Sequence, residues 1–110
     1  MAADLANCWV YMTASSVNEA KRISRALVEE RLAACTNILP GMTSFYWWQG
    51  KIDEGHETVL IAKTREELVE RLTARVKALH SYTIPCVVAL PMVGGNPDFL
   101  KWIEDVTQGT

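Results

Sequence analysis

The spacing of apolar residues along the chain predicts a β-α-β-β-α-β-α order of elements. An uncharged run over residues 8–12 predicts a short first strand, and apolar residues at near-helical spacing predict a helix over about residues 17–31. Ser16 and Glu19 form an S-x-x-E pattern, which is typical of a helix N-terminus because each side chain can bond a backbone N–H. The chain is therefore expected to begin with a β-α unit.

The densest block of β-branched and aromatic residues covers residues 35–48 and predicts one long strand, with a bend or bulge at Pro40-Gly41. Residues 48–51 predict a tight turn in which Gly50 adopts a positive φ, and residues 52–63 predict the returning strand. A strand of about 14 residues spans about 46 Å, whereas a chain of this size folds into a globule about 35 Å across. The hairpin should therefore overhang its own core, and its edges must be paired or covered.

The second half of the chain predicts a further helix, a strand and a last helix. Thr64 and Glu67 form a second capping pattern before a one-faced apolar helix that runs to about Leu79. Residues 80–85 are expected to form a linker, and the apolar run 86–92 is typical of a central strand. Asn96 is expected to cap a final helix with Pro97 in its first position.

This order predicts a single α+β domain over residues 1–110, a ferredoxin-like split βαβ sandwich with a long β2-β3 hairpin. Right-handed crossovers place both main helices on one face of the sheet, so the other face is left bare. Self-association through the bare face and the overhanging hairpin would cover both. Shared sheets between subunits are therefore expected.

Composition excludes several classes of function. The net charge is −2 and the hydrophobic content 49%, so the basic footprint of a nucleic-acid-binding protein is missing, and so is a polybasic attraction to anionic membranes. No apolar run reaches the length of a membrane span. Three widely spaced cysteines without a CxxC pair favour a reducing, cytoplasmic location. No organic cofactor is predicted.

Four stretches together resemble one family. They are RLAACTNILPG at 31–41, SFYWWQGK at 44–51, HSYTIPC at 80–86 and FLKW at 99–102. The second is similar to an S-x-Y-x-W-x-G-K hairpin and the third to an H-P-Y-x-x-P-E segment, both characteristic of the CutA divalent-ion tolerance family. The resemblance extends over about residues 10–107. It implies a very stable cytoplasmic homotrimer of ferredoxin-like subunits that looks like the PII signalling proteins, with copper and other divalent metals as ligands.

The chain departs from the family pattern where bacterial members are proposed to bind copper. Met12 stands at the first-strand cysteine position, Leu79 at the first histidine, and Cys86 at the glutamate. His80, Cys86 and Met12 could still supply a soft ligand set suited to Cu(I). The alternative is that Cys86 and Met12 are core residues. His56, beside Glu54 and Glu57, could also bind a metal, with a solvated charged tip as the alternative.

A pocket between subunits is the other predicted site, because the resemblance implies that polar groups cluster at subunit clefts. Trp48, Lys63 and Tyr82 are its candidates, with Lys63 meeting a small anionic ligand. Cys35, which opens the long strand, is assigned to the same pocket, with core packing as the alternative.

Two functions follow as predictions. The first is a non-enzymatic homotrimer involved in divalent metal tolerance, with copper as the expected ion. The second is a PII-like small-ligand sensor or trimeric scaffold with no physiological metal. A small hydrolase is disfavoured, because no G-x-S-x-G elbow or serine-histidine-acid arrangement is recognisable.

Overall fold

The computed structural model describes residues 6–108. Its elements are β1 (Asn7–Ala14), α1 (Val17–Glu29), β2 (Cys35–Trp48), β3 (Lys51–Arg65), α2 (Val69–Leu79), β4 (Val87–Pro91) and α3 (Pro97–Thr107), with a 3-10 turn at Glu66–Leu68 before α2. The four strands form one antiparallel sheet in the order β2-β3-β1-β4. The predicted α+β class and order of elements are confirmed. No helix of the described residues is long and apolar enough to cross a membrane.

One face of the sheet carries the core. Alternate side chains of β1 and β3 point to the two helices α1 and α2, as the two-residue repeat of a strand requires. The buried cluster is made of Cys8, Val10 and Met12 from β1, Leu60 and Ala62 from β3, Ile23 and Leu27 from α1, and Leu72 and Val76 from α2, with Leu32 and Ala33 closing it. Burying a side chain of this size stabilises the fold by about 1.5–3 kcal/mol. Both main helices therefore lie on one face, as predicted.

The opposite face is apolar and exposed in the single chain. Trp9, Leu39, Val88 and Leu90 are between 45% and 56% exposed, and the register places Trp9 beside Leu90 on neighbouring strands. Helix α3 covers only one end of this face, where Asn7 Nδ2 donates to the Leu100 carbonyl at 3.0 Å. We call this surface the open sheet face. The bare face predicted from the topology is thus present.

The β2-β3 hairpin extends beyond the core, so that the molecule measures 48 × 25 × 22 Å. The ladder shifts register between Leu39 and Met42, and Gly41 has a φ of 84°. These are the features of a β-bulge, which the Pro40-Gly41 pair predicted. The tip is a two-residue turn with positive φ at both Gln49 and Gly50, typical of type I′.

Three local predictions need correction. Thr64 does not cap α2: it lies in β3, buried, and its hydroxyl donates to the Leu32 carbonyl at 2.7 Å. The run at 86–92 forms an edge strand rather than a central one, because β1 occupies the centre between β3 and β4. Ser16 caps α1 as expected, accepting from the Glu19 N–H, but the Glu19 carboxylate bonds Ser15 instead of Ser16.

Candidate functional site

The bulge in β2 decides which side chains of the hairpin share a face. Beyond it, Met42 pairs with Glu57 and Tyr46 with Asp53. Even-numbered residues of β2 therefore join odd-numbered residues of β3, whereas before the bulge odd-numbered residues pair with odd-numbered ones. Trp48 is thereby placed on the same face as Asp53 and Glu57. This face continues the open sheet face out along the hairpin.

Gly55 makes room on this face. A Cβ added at Gly55 would lie 3.2 Å from the Tyr46 hydroxyl oxygen. This distance is shorter than ordinary van der Waals contact, so the phenol ring of Tyr46 lies over a position that has no side chain.

The segment between α2 and β4 forms a wall above this face, and Tyr82 anchors it. The Tyr82 hydroxyl donates to Glu57 Oε2 at 2.9 Å. Its ring centroid lies 4.5 Å from that of His80, and its backbone N–H donates to His80 Nδ1 at 3.0 Å. Burial, then the hydrogen bond to Glu57, raise the pKa of Tyr82, so the phenol stays protonated and acts as the donor.

Glu19 fixes the start of the same segment from α1. Its Oε1 accepts the Ser15 N–H and hydroxyl, both at 2.8 Å, and its Oε2 accepts the Ser81 N–H at 2.8 Å. Burial alone would raise the pKa of this carboxyl, but the bonds from Ser15 and Ser81 outweigh it and lower the pKa to about 2. The charge is therefore held in place by three donors.

Hairpin and wall enclose a cavity of about 600 Å³, which we call the arm cavity. Three aromatic side chains line it: Tyr46, Trp48 and Tyr82. Trp47 also borders the cavity, but the register turns its side chain to the opposite face of the hairpin, where it is 72% exposed. Two carboxylates, Asp53 and Glu57, lie among them. Small polar groups and Ile84 and Cys86 complete the lining. The size is that of a small-molecule site.

The three predicted metal ligands do not share this cavity. Met12 is fully buried in the core beneath the helices. The His80 side chain is buried and both of its ring nitrogens are engaged, since Nε2 lies 2.7 Å from the Thr13 carbonyl oxygen and Nδ1 accepts from Tyr82. Only Cys86 lines the arm cavity. Over the described residues no group of three His, Cys, Asp or Glu side chains is placed to hold a metal ion. The geometry therefore gives no support to ligation by His80 or Met12.

Three of the four predicted pocket residues divide between two cavities, and the fourth, Cys35, lines neither. Trp48 and Tyr82 line the arm cavity. Lys63 lines a second cavity of about 460 Å³ at the other end of the open sheet face. There its ammonium lies 5.8 Å from the Trp9 ring centroid and donates to Asn37 Oδ1. Cys35 pairs with Lys63 in the ladder. Within one chain, the ammonium group of Lys63 therefore does not reach the arm cavity.

Three carboxylates of the site are not among the residues predicted from the sequence. Glu19 sits in an S-x-x-E pattern, which indicates a capping role and gives no hint of the bond to Ser81. Glu57 is predicted only as a neighbour of His56 at a charged tip, and Asp53, which lines the cavity, is not predicted. Glu57 stands directly before Thr58 and Leu60, which are buried. This position next to residues that face the core is the signal that would have placed Glu57 near the base of the hairpin and not at its tip.

The chain is similar in sequence and in fold to several known proteins. The chain is 46% identical over 99 residues to the rice protein "Protein CutA 1, chloroplastic", covering 90% of this chain and 56% of that protein. It is 50% identical over 98 residues to the "Divalent-cation tolerance protein CutA" of Thermus thermophilus, covering 89% and 95%. The chain thus spans about half the length of the rice relative and nearly all of the bacterial one.

The structure of a "Periplasmic divalent cation tolerance protein CutA" from Archaeoglobus fulgidus superposes with a TM-score of 0.90 at 45% identity, covering 93% of this chain and 99% of that one. Relatives named chloroplastic and periplasmic give no support to the cytoplasmic location expected from the cysteines. The family model described as "CutA1 divalent ion tolerance protein" matches residues 8–106. With these matches over nearly its whole length, the chain belongs to the CutA1 divalent ion tolerance protein family.

Proposed function

We propose that this chain acts in divalent metal tolerance as a non-enzymatic homotrimer assembled through the open sheet face. The observation that carries the assembly is the exposure of Trp9, Leu39, Val88 and Leu90 on one continuous surface. Apolar patches of this kind are rare on soluble monomers and mark contact sites. Edge strand β4 is exposed on both of its faces, because Val88 and Leu90 point to the open sheet face and Ala89, also exposed, points to the other. Three copies are what the resemblance to the family implies.

Sedimentation equilibrium at micromolar concentration tests the assembly. We expect about three times the 12.3 kDa chain mass. Leu90→Glu, which places a charge on the open sheet face, should shift the mass toward that of one chain. Val28→Glu is the matched control, because Val28 is also exposed but lies on α1, on the other side of the sheet. A folded single-chain species of the unaltered protein would contradict the proposal.

The state of the thiols supports a non-enzymatic role. Burial raises the pKa of Cys8 to about 11 and also raises those of Cys35 and Cys86. A thiol is a good nucleophile only as the thiolate. His80 cannot serve as their base while the backbone at Thr13 and Tyr82 occupies both its nitrogens. No activated nucleophile is therefore formed by these groups.

Copper is the ion we propose, bound through the Cys86 thiol with the Glu57 carboxylate in the same cavity. A thiolate is a soft ligand that favours Cu(I), and metal binding would displace the thiol proton. Calorimetric titration of the assembled protein with Cu(I) and Cu(II) tests this. Cys86→Ser should abolish the heat, and Cys35→Ser, outside the cavity, should retain it. No heat with the unaltered protein would defeat copper binding, and equal heat in both variants would defeat the role of Cys86.

A second candidate function is small-ligand sensing without a metal. The arm cavity favours it, because its volume falls within the range of small-molecule sites. Its wall is held by Glu19 and by the bond from Tyr82 to Glu57, so the cavity is already formed without a ligand. Thermal-shift screening against small metabolites, with and without copper, separates the two functions. Stabilisation by a metabolite and not by metal would favour the second.

A further inference from the structure

The side of the molecule that carries the helices has a groove of its own. It lies where α1 ends beside α2 and has a volume of about 400 Å³. Six residues line it: Glu30, Leu32, Arg71, Ala74, Arg75 and Ala78. We call it the helix groove. Because α1 and α2 cover the face of the sheet opposite to the open sheet face, one chain forms this groove, and an assembly through the open sheet face does not have to cover it.

Helix α2 turns one stripe of side chains to the helix groove. Its four lining residues recur at three and four positions along the chain, which is the spacing of one helix face. Two of them are the small residues Ala74 and Ala78, which are exposed and form an apolar floor beside Leu32. The other two are Arg71 and Arg75, one turn apart. The groove therefore combines an apolar floor with two guanidinium groups.

The two guanidinium groups are not balanced by carboxylates. Arg75 Nε donates to both carboxylate oxygens of Glu30, at 2.9 and 3.0 Å, and among the described residues its two terminal nitrogens have no partner. Arg71 forms no ion pair with any residue of the described range. Like charges one turn apart on a helix repel each other. The groove thus has an excess of positive charge in a chain whose net charge is −2.

This arrangement favours an anion. A guanidinium group presents its donors in a planar fork that matches the oxygens of a carboxylate or a phosphate. Glu30 holds the Arg75 fork in place across the groove, so its terminal nitrogens are oriented before a ligand arrives. An anion between Arg71 and Arg75 would offset the repulsion between the two side chains.

We propose that the helix groove binds an organic anion, a carboxylate or phosphate attached to an apolar body. The arginines take the anionic group, and the floor of Ala74, Ala78 and Leu32 takes the apolar body. This inference goes beyond both proposed functions, because it needs neither a metal nor the arm cavity. The sequence predicts a small anionic ligand at Lys63, and the helix groove is a different place for a ligand of that charge.

The test is an NMR titration of the full chain in its native assembly, following the backbone amides and the Nε–H groups of the arginines. The matched probes are phenyl phosphate, benzoate and the neutral benzyl alcohol. We expect at least one of the two anions to bind about tenfold more tightly than benzyl alcohol, the effect of one hydrogen bond to a charged group. The shifted resonances should be those of residues 30–32 and 71–78. Which anion binds more tightly identifies the anionic group.

Variants check the role of the charge. Arg71→Gln removes one guanidinium from an exposed position and should weaken the binding of the preferred anion about tenfold. Arg25→Gln is the matched control, because Arg25 is also an exposed helical arginine but lies outside the groove, 3.7 Å from Glu29. It should leave the affinity unchanged. The comparison of the three probes needs no variant and stands if a variant fails to fold.

Four results would overturn the inference. They are equal binding of benzyl alcohol and both anions, absence of binding by both anions, equal weakening by Arg71→Gln and Arg25→Gln, and shifts confined to the neighbours of Lys63. The third would mean that overall charge attracts the anion, and the last would place the anion in the cavity that Lys63 lines.

Discussion

Glu19 Oε2 accepts the backbone N–H of Ser81 at 2.8 Å and so ties α1 to the wall of the arm cavity, 62 positions further along the chain. The carboxyl has a folded pKa of about 2 against an ordinary value of 4.5. A group whose pKa is lowered on folding stabilises the fold fully above its unfolded pKa and loses that contribution as pH falls toward the folded value. The difference between the folded and the ordinary pKa of Glu19 corresponds to a contribution of roughly 3 kcal/mol to the free energy of unfolding.

We therefore expect Glu19→Gln to lower the free energy of unfolding at pH 7 and to flatten its pH dependence between about pH 4.5 and pH 2. Urea unfolding at a series of pH values and one protein concentration measures both. Glu29→Gln is the control, because Glu29 lies on the same helix but is exposed, 3.7 Å from Arg25. If the free energy of unfolding of Glu19→Gln still fell between about pH 4.5 and pH 2 as it does in the unaltered protein, Glu19 would not be the group that titrates in this range.

His80 is expected to act as a structural residue, and His56 provides the comparison. His80→Ala would leave the Thr13 carbonyl and the Tyr82 N–H without partners in a buried site. Each unsatisfied buried group costs about 1–3 kcal/mol, so the loss in unfolding free energy should be of the order of 2–4 kcal/mol. His56→Ala, on the exposed hairpin, should have little effect.

Copper titration of the folded His80→Ala variant extends this test. Since both ring nitrogens already serve the backbone, we expect the copper affinity to match that of the unaltered protein. A loss of affinity in a variant that keeps its native circular dichroism would instead restore His80 as a ligand.

Arg65 is expected to hold α3 on the sheet. Its Nε donates to the Thr107 hydroxyl at 2.8 Å and one terminal nitrogen donates to the Thr107 carbonyl at 3.0 Å. A guanidinium at a helix C-terminus satisfies end carbonyls and complements the helix dipole. Arg65→Met should therefore cost about 1–3 kcal/mol and speed amide hydrogen exchange in α3 before other elements.

Lys101→Met is the control for Arg65→Met. It removes an exposed pair with Asp105 on the outside of the same helix, and such pairs contribute little. Equal exchange rates in the two variants would contradict the anchoring role of Arg65.

Sequence reasoning succeeded where one local pattern decides the structure. The block at 35–48 predicted β2 to the residue, because its β-branched and aromatic content allows no competing helix. The Pro40-Gly41 pair predicted the bulge, because proline lacks the donor that a regular ladder needs. The β-α-β-β-α-β order of elements, with right-handed crossovers, predicted that both main helices lie on one face and leave the other bare.

It failed where distant parts of the chain compete for the same group. Thr64 fits a capping pattern, but β3 continues through it, and the Leu32 carbonyl takes its hydroxyl. The arm cavity depends on a one-residue shift in β2 and on a segment that returns 25 positions after Glu57 to bond it. Neither the shift in β2 nor the return of this segment can be recognised from the neighbouring residues in the sequence. Lys63 was grouped with Trp48 from the resemblance, and one chain keeps them apart.

The hairpin tip offers a stabilising substitution. Gln49 has a φ of 52° and Gly50 a φ of 80°, the left-handed pair of a type I′ turn. This conformation costs an ordinary L-residue roughly 1 kcal/mol, whereas asparagine tolerates it and Asn-Gly is the preferred pair. Gln49→Asn should therefore raise the free energy of unfolding by about 0.5–1 kcal/mol, measured by denaturant titration at one protein concentration.

Two further variants separate backbone strain from loss of the glutamine side chain. Gln49→Ala removes the side chain without easing the left-handed conformation, so it should not stabilise. Gly50→Ala introduces a Cβ at positive φ, where space is open but the backbone is strained, and it should destabilise by about 1 kcal/mol. Were alanine at 49 to stabilise as much as asparagine, the gain would come from loss of the glutamine side chain and not from relief of the turn, because alanine has no preference for the left-handed region.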